Sequence, residues 1–306
     1  MIHPDLKSLF DFIADGAAPA ALQDFILAHP DLDLDGDVSD DGDEGWSAFA
    51  EIICRGDLAV VDVFLSHAPD RVAVNHVCAG GCTAIMSLIS NPEEGDSDAI
   101  FRRLLAHPLV SLDFAVRTNF ILYGWVAFAC AACRSLRNMK LLVASGKPLG
   151  WSPGDLLPNN ASIAPLPLRD VMIRSPFSNK IPDLQQRLES LDCFVADPDL
   201  ARHSARLEFA AEHRLVVSTF DALCLPALAL DLFAAVVFVC DGLLRLRDFE
   251  NLTDSAGHSR LVALVSRLPL ELQMVLCHRV AGSARLIILT ADSDPAFRHL
   301  AHHFSC

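Results

Sequence analysis

The chain has 306 residues, 52% of them hydrophobic and 7% aromatic, with a formal net charge of -15. That composition lies outside the disordered class and supplies enough apolar side chains for one large core or for two domains. The acidic balance and a pI near 5.1 leave no basic stripe to neutralise phosphates, which excludes nucleic acid and anionic membrane surfaces and favours protein partners with a basic surface.

The opening stretch MIHPDLKSLFDFIADGAAP carries Asp5, Lys7, Asp11 and Asp15 through any apolar signal core, so no secretory signal is read and an intracellular, cytoplasmic location is expected. The ten cysteines are then reduced thiols. Cys54, Cys130, Cys193, Cys224, Cys240 and Cys277 sit in apolar runs, as small hydrophobes in a core do. Next comes HPDLDLDGDVSDDGDEG, His29 to Gly45. Asp31, Asp33, Asp35 and Gly36 fall where a calcium loop places three oxygen ligands and its turn glycine, with Val38 at its apolar position. The twelfth position, where a bidentate glutamate belongs, is Gly42, although Glu44 lies close.

A repeat runs through the first half. GWSAFAEII from Gly45, GCTAIMSLI from Gly81 and GWVAFACAA from Gly124 align without gaps, each with Ala three residues after its Gly. A second series follows them, DVFLSHAPD from Asp62, RRLLAHPLV from Arg102 and MKLLVASGK from Met139, with an early copy at DFILAHPDL from Asp24. The spacing of roughly 38 residues is that of a stacked helical repeat. In the first full unit, Trp46, Phe49, Ile52 and Ile53 share one helical face, CRGD turns the chain, and Leu58, Val61, Phe64 and Leu65 form a second stripe. Neither helix buries its stripe alone, so copies must stack, and the stretches between them project as hairpins along one edge. LAHPDLDLD is then the same element as LAHPLVSLD at Leu105. The acidic run reads as a lengthened hairpin tip with Leu32 and Leu34 turned inward, rather than as a calcium site.

These units resemble the ankyrin repeat over about residues 1–150, with a degraded further copy in Pro167 to Leu191. GCTAI is similar to the family's first-helix opening and NMKLLVASGKPL to its second-helix ending with a glycine cap. Ala48, Ala84 and Ala127 stand where the family usually has proline, the Thr-Pro-Leu-His run is missing from these units, and NPEEGDSD adds residues within the third unit. The resemblance implies partner binding through the hairpin tips and the concave face. The expected binding residues are Asp37, Asp40, Asp41, Asp43 and Glu44 as an acidic patch, then Arg71 and His76, then Arg117, Asn119, Phe120 and Tyr123, with Phe120 and Tyr123 either aromatic anchors or packing between adjacent hairpins.

Residues 151–196 turn proline-rich and polar, as a degenerate repeat or irregular connection, and residues 197–306 read as a helical C-terminal domain covering the last repeat. DPDLARHSARLEFAAEHRL predicts an amphipathic helix capped near Asp197. The apolar run Leu223 to Leu246 contains Asp231 and Asp241 and is interrupted early by Pro226, so it is expected as a buried helix rather than a membrane span. HSRLVALVSRLPLELQMVLCHRVAGS predicts two helices broken at Pro269. Within it LPLELQMVLCHRV, Leu268 to Val280, resembles the first part of an F-box, which implies docking to ubiquitin-ligase subunits through Leu268, Pro269, Leu272 and Leu276.

Other chemistry is weakly spelled. CAAC, Cys130 to Cys133, has half-zinc-site spacing without a second pair. His76, Cys78 and Cys82 lack a fourth ligand, and His299, His302 and His303 read as one solvated terminal helix. There is no GxSxG elbow, phosphate-cradling glycine loop or HExxH, and an enzyme would need a C-terminal pocket lined by groups such as Glu208, His213 or Asp221. The expectation is therefore an all-α protein, an ankyrin-like helical-repeat solenoid with a C-terminal helical domain. It acts as a non-enzymatic scaffold, or alternatively as a ligase adaptor, and needs no cofactor or metal.

Overall fold

The computed structural model describes residues 4–16, 18–32, 49, 52–53, 56–67, 74–77, 83–90, 97–113, 126–157, 165–174, 183–212, 221–241, 243, 265–283, 285 and 287–305. These are mostly helical and fall into two compact units, residues 1–142 with 147–191, and residues 143–146 with 192–306. Among the described residues no helix is long and apolar enough to cross a membrane.

The helices are α1 Pro4–Ala14, α2 Pro19–Ala28, α3 Leu58–His67, α4 Ala84–Ser90, α5 Ser97–Ala106, α6 Ala127–Arg134 and α7 Leu136–Ser145. A two-residue antiparallel ladder pairs β1 Leu156–Leu157 with β2 Leu166–Pro167. After it come α8 Leu168–Arg174, α9 Leu184–Ala196, α10 Pro198–Glu212, α11 Asp221–Cys240, α12 Leu270–Val280 and α13 Thr290–Ser305.

Local chemistry sets several of these boundaries. Asp57 Oδ1 accepts hydrogen bonds from the N–H groups of Ala59 and Val60 at 2.9 and 3.1 Å, capping α3 and satisfying donors that the first turn leaves orphaned. Ser135, extended between α6 and α7, ends one helix and starts the next, its Oγ accepting from Asn138 N at 3.2 Å. The α4 and α6 helices open at Ala84 and Ala127, two of the three alanines that the repeat aligns; the third, Ala48, lies outside the described residues.

In the first unit the helices pack as two rows. The α2 helix packs on α3 and α3 on α5, while α4 packs on α6 and α6 on α8. The α5 helix also packs on α4, joining the rows. Phe49, Ile52, Phe64, Phe101 and Phe128 are fully buried between them, each stabilising the fold by about 1.5–3 kcal/mol on burial. Every residue of α6 from Ala127 to Cys133 is buried. Its small side chains, four of them alanine, let helices approach from several sides.

The second unit is built around α11, which packs against α10, α12 and α13. Ala229, Phe233, Ala234, Ala235 and Val236 of α11 meet Cys277 of α12, Ala281 at its C-cap, and Ala296 and Leu300 of α13 in one core. Phe233 and Phe238 flank Phe297 at 6.4 and 5.6 Å between ring centroids. The proline expected to interrupt this run does not: α11 continues through Pro226. Pro226 lies within the first two turns, where it removes a single hydrogen bond, and burial of the apolar helix outweighs that loss.

Candidate functional site

Three helices of the second unit bring a carboxylate and two imidazoles together. Asp231 sits midway along α11, and the residues that share its helical face at i-4, i+3 and i+4 are Ala227, Ala234 and Ala235. His203 reaches the Asp231 carboxylate from α10 and His299 from α13. His203 Nε2 lies 3.0 Å and His299 Nδ1 3.2 Å from the same Asp231 oxygen, Oδ1. The two rings meet edge-on, 5.6 Å between centroids and 66° between planes, so their nitrogens converge rather than stack.

The neighbourhood fixes this arrangement. Asp197 caps α10, accepting from Leu200 N at 3.0 Å, as the sequence leads one to expect, and its second carboxylate oxygen pairs with Arg298. Arg298 precedes His299 on α13 and also meets Asp294 at 2.9 Å. One residue therefore caps the helix carrying His203 and tethers the helix carrying His299. Burial drives the Asp231 carboxyl upward, yet the hydrogen bonds to His203 and His299 outweigh it and hold the group below the usual carboxylate range. At neutral pH Asp231 is an anion. The His203 side chain is 4% exposed, those of Asp231 and His299 20% each, so the cluster is buried on the α10 side and reaches solvent on the other.

The residues expected to bind partners are distributed differently. Asp37, Asp40, Asp41, Asp43, Glu44, Arg71, Arg117, Asn119, Phe120 and Tyr123 lie outside the described residues. His76 is half-buried in the segment 74–77, where Val77 bridges Thr83 in antiparallel fashion. Its neighbour Asn75, which sequence reading passed over, donates to Leu109 O at 2.6 Å and accepts from Ser111 N at 2.8 Å. That amide ties two inter-helix segments, one repeat apart. Asp31 is exposed and Leu32 buried, while the remainder of the acidic run lies outside the described residues.

Cys130 and Cys133 are buried, and burial pushes the Cys133 thiol up to about 12, as befits a core thiol. Of the groups considered for an enzyme pocket, Glu208 is exposed, Asp221 begins α11 and His213 lies outside the described residues. On α12, Leu272 is 50% and Leu270 53% exposed. Pro269 is exposed, Leu268 half-buried, and Leu276 packs partly buried against the core around α11.

His203 and Asp231 were each visible in the sequence but were not joined. A lone carboxylate inside an apolar run is itself a signal, because a buried charge needs partners, and the partners lie 28 and 68 residues away in the chain.

No family model and no solved structure matches the chain. A curated protein, the mitochondrial arginine biosynthesis bifunctional protein ArgJ of Uncinocarpus reesii, is 24% identical over 166 residues. The match covers 54% of this chain and 36% of that protein, so the chain spans about a third of the relative's length.

Proposed function

We propose that the protein is a non-enzymatic, intracellular interaction scaffold, an ankyrin-like solenoid of helix pairs that holds a protein partner on its hairpin tips and concave face. The observation that carries this reading is the spacing of the ties between neighbouring helix pairs. Arg103 pairs with Asp62, 41 residues away, Arg137 with Asp98, 39 away, and Lys147 Nζ donates to His107 O, 40 away. Those separations match the roughly 38-residue repeat, and the two rows of helices, α2–α3–α5 and α4–α6–α8, are the arrangement that repeat requires. Such repeats bind through the surface that stacking leaves open. The acidic patch from Asp37 to Glu44 favours a basic partner surface.

A second reading has its own support. The apolar side chains of Leu270 and Leu272 are half-exposed at the start of α12, within the stretch that resembles an F-box, so Leu268, Pro269, Leu272 and Leu276 are proposed to dock a ubiquitin-ligase subunit. The two readings separate in one experiment on the full-length chain, captured from cell lysate with its partners. Neutralising Asp37, Asp40, Asp41, Asp43 and Glu44 to their amides is expected to release the scaffold's partner. A Leu272→Asp, Leu276→Asp variant is expected to release only ligase subunits. If ligase subunits never associate with the unaltered chain, the adaptor reading fails and the scaffold reading stands on the other variant.

A further inference from the structure

We propose that His203, Asp231 and His299 form a binding site for one first-row transition-metal dication, with Zn²⁺ the best fit, at the junction of α10, α11 and α13. This goes beyond the scaffold reading and does not depend on it, since all three residues lie in the second unit.

The donor atoms define the site. His203 Nε2, Asp231 Oδ1 and His299 Nδ1 lie within 4.8 Å of one another, and the two nitrogens stand 3.0 and 3.2 Å from the oxygen. Ligands about 2.0–2.1 Å from a tetrahedral ion stand about 3.3 Å apart. The carboxylate therefore already stands near the required distance from both imidazoles, and small rotations of the rings admit the ion. Two imidazole nitrogens and one carboxylate oxygen suit zinc and its first-row neighbours. Calcium and magnesium prefer all-oxygen sets.

Each carboxylate oxygen can accept two donors, and one oxygen takes both rings, which gathers the three donor atoms around one point. Here two imidazoles from separate helices converge edge-on at a single atom midway along α11. When the ion enters, both facing nitrogens present lone pairs, and each ring carries its proton on the other nitrogen. The solvent-facing side, where Asp231 and His299 keep 20% of their side-chain surface, is where a water completes four-coordination. Bound metal clips α10 and α13 to the central helix, adding to what Asp197 and Arg298 do through the neighbouring ion pair.

The test uses the full-length protein stripped with chelator and then titrated with Co²⁺, followed by Zn²⁺ competition. The expected result is one tightly bound equivalent with the intense visible bands of a low-symmetry four-coordinate ion, no thiolate-to-cobalt charge-transfer band, displacement by Zn²⁺, and a rise in Tm on Zn²⁺ addition. Loss of an outer hydrogen-bond partner alone weakens metal sites about 10–100-fold, so His203→Gln, Asp231→Asn and His299→Gln are each expected to lower affinity by about 100-fold or more. His302→Gln, one turn on and exposed, is expected to leave it unchanged. A strong thiolate band would place the ion on cysteines and overturn the assignment. So would a failure of the unaltered chain to bind one equivalent, or a loss confined to His302→Gln. The spectrum of the unaltered protein decides the matter even if the substituted chains fail to fold.

Discussion

At Gly150 the backbone passes so close to Asp113 that a Cβ would lie 2.4 Å from the Asp113 Cα, and φ is +63°. Both features penalise any side chain. Gly150→Ala is expected to destabilise the first unit by about 1–3 kcal/mol or more, read as a fall in Tm. Gly154 is the internal control: its φ of +100° is equally unusual but a Cβ there meets open space, so Gly154→Ala carries the conformational cost alone and is expected to lower Tm less. Equal effects at both positions would remove the role of the Asp113 contact. Titration offers a second prediction at this scale. His107 is buried, with no hydrogen-bond partner on Nδ1 among the described residues, and burial followed by the nearby charges of Arg103 and Lys147 lowers its pKa from 6.5. A histidine with a depressed folded-state pKa binds its proton more readily when unfolded. Its contribution to stability is therefore present above pH 6.5 and declines as pH falls below that value toward the folded-state pKa. His107→Gln is expected to flatten the dependence of Tm on pH in that acidic window, and an unchanged slope would contradict the assignment.

Between helices the apolar contacts outweigh the ion pairs. The Asp98 carboxylate meets both Arg102 and Arg137 and is held below its usual range by their hydrogen bonds despite burial pushing it upward, but it is 40% exposed, and such exposed pairs contribute only about 0.2–1 kcal/mol each. Phe101, buried beside them, is worth more: Phe101→Ala is expected to cost about 3–5 kcal/mol in chemical denaturation, against under about 1 kcal/mol for Asp98→Asn. The reverse order would mean that charge holds the rows together. The helices themselves were legible in sequence because each repeat writes its start the same way, so that Ala84 and Ala127 both open helices, and because a capping aspartate such as Asp57 or Asp197 announces the first turn. Pro226 misled because proline is judged by local geometry, whereas the fate of α11 was decided by burial along its length. The cluster at Asp231 was illegible for a related reason: periodicity reports which face of a helix turns inward, not which distant helix meets it. His203 is unremarkable in its own segment, and His299, expected on a solvated terminal helix with His302 and His303, instead turns inward to Asp231 with 20% of its side chain exposed.

At the scale of the molecule, two units of different construction share one chain. Among the described residues the first packs its helices in two rows with ties at nearly constant sequence separation, and the second packs three helices around one apolar helix carrying the half-buried Asp231. Repetition suits recognition, because it extends a surface by copying a unit whose core is already solved. The first unit is proposed to hold a protein partner through the acidic run Asp37 to Glu44. The most direct test immobilises the full-length chain, challenges it with lysate, identifies what is retained by mass spectrometry, and repeats this with Asp37, Asp40, Asp41, Asp43 and Glu44 all neutralised. The expected result is a defined basic partner that binds the unaltered chain, weakens as salt is raised, and is lost from the neutralised one while its Tm is unchanged. Retention of the same proteins by both chains, or of none by either, would contradict it.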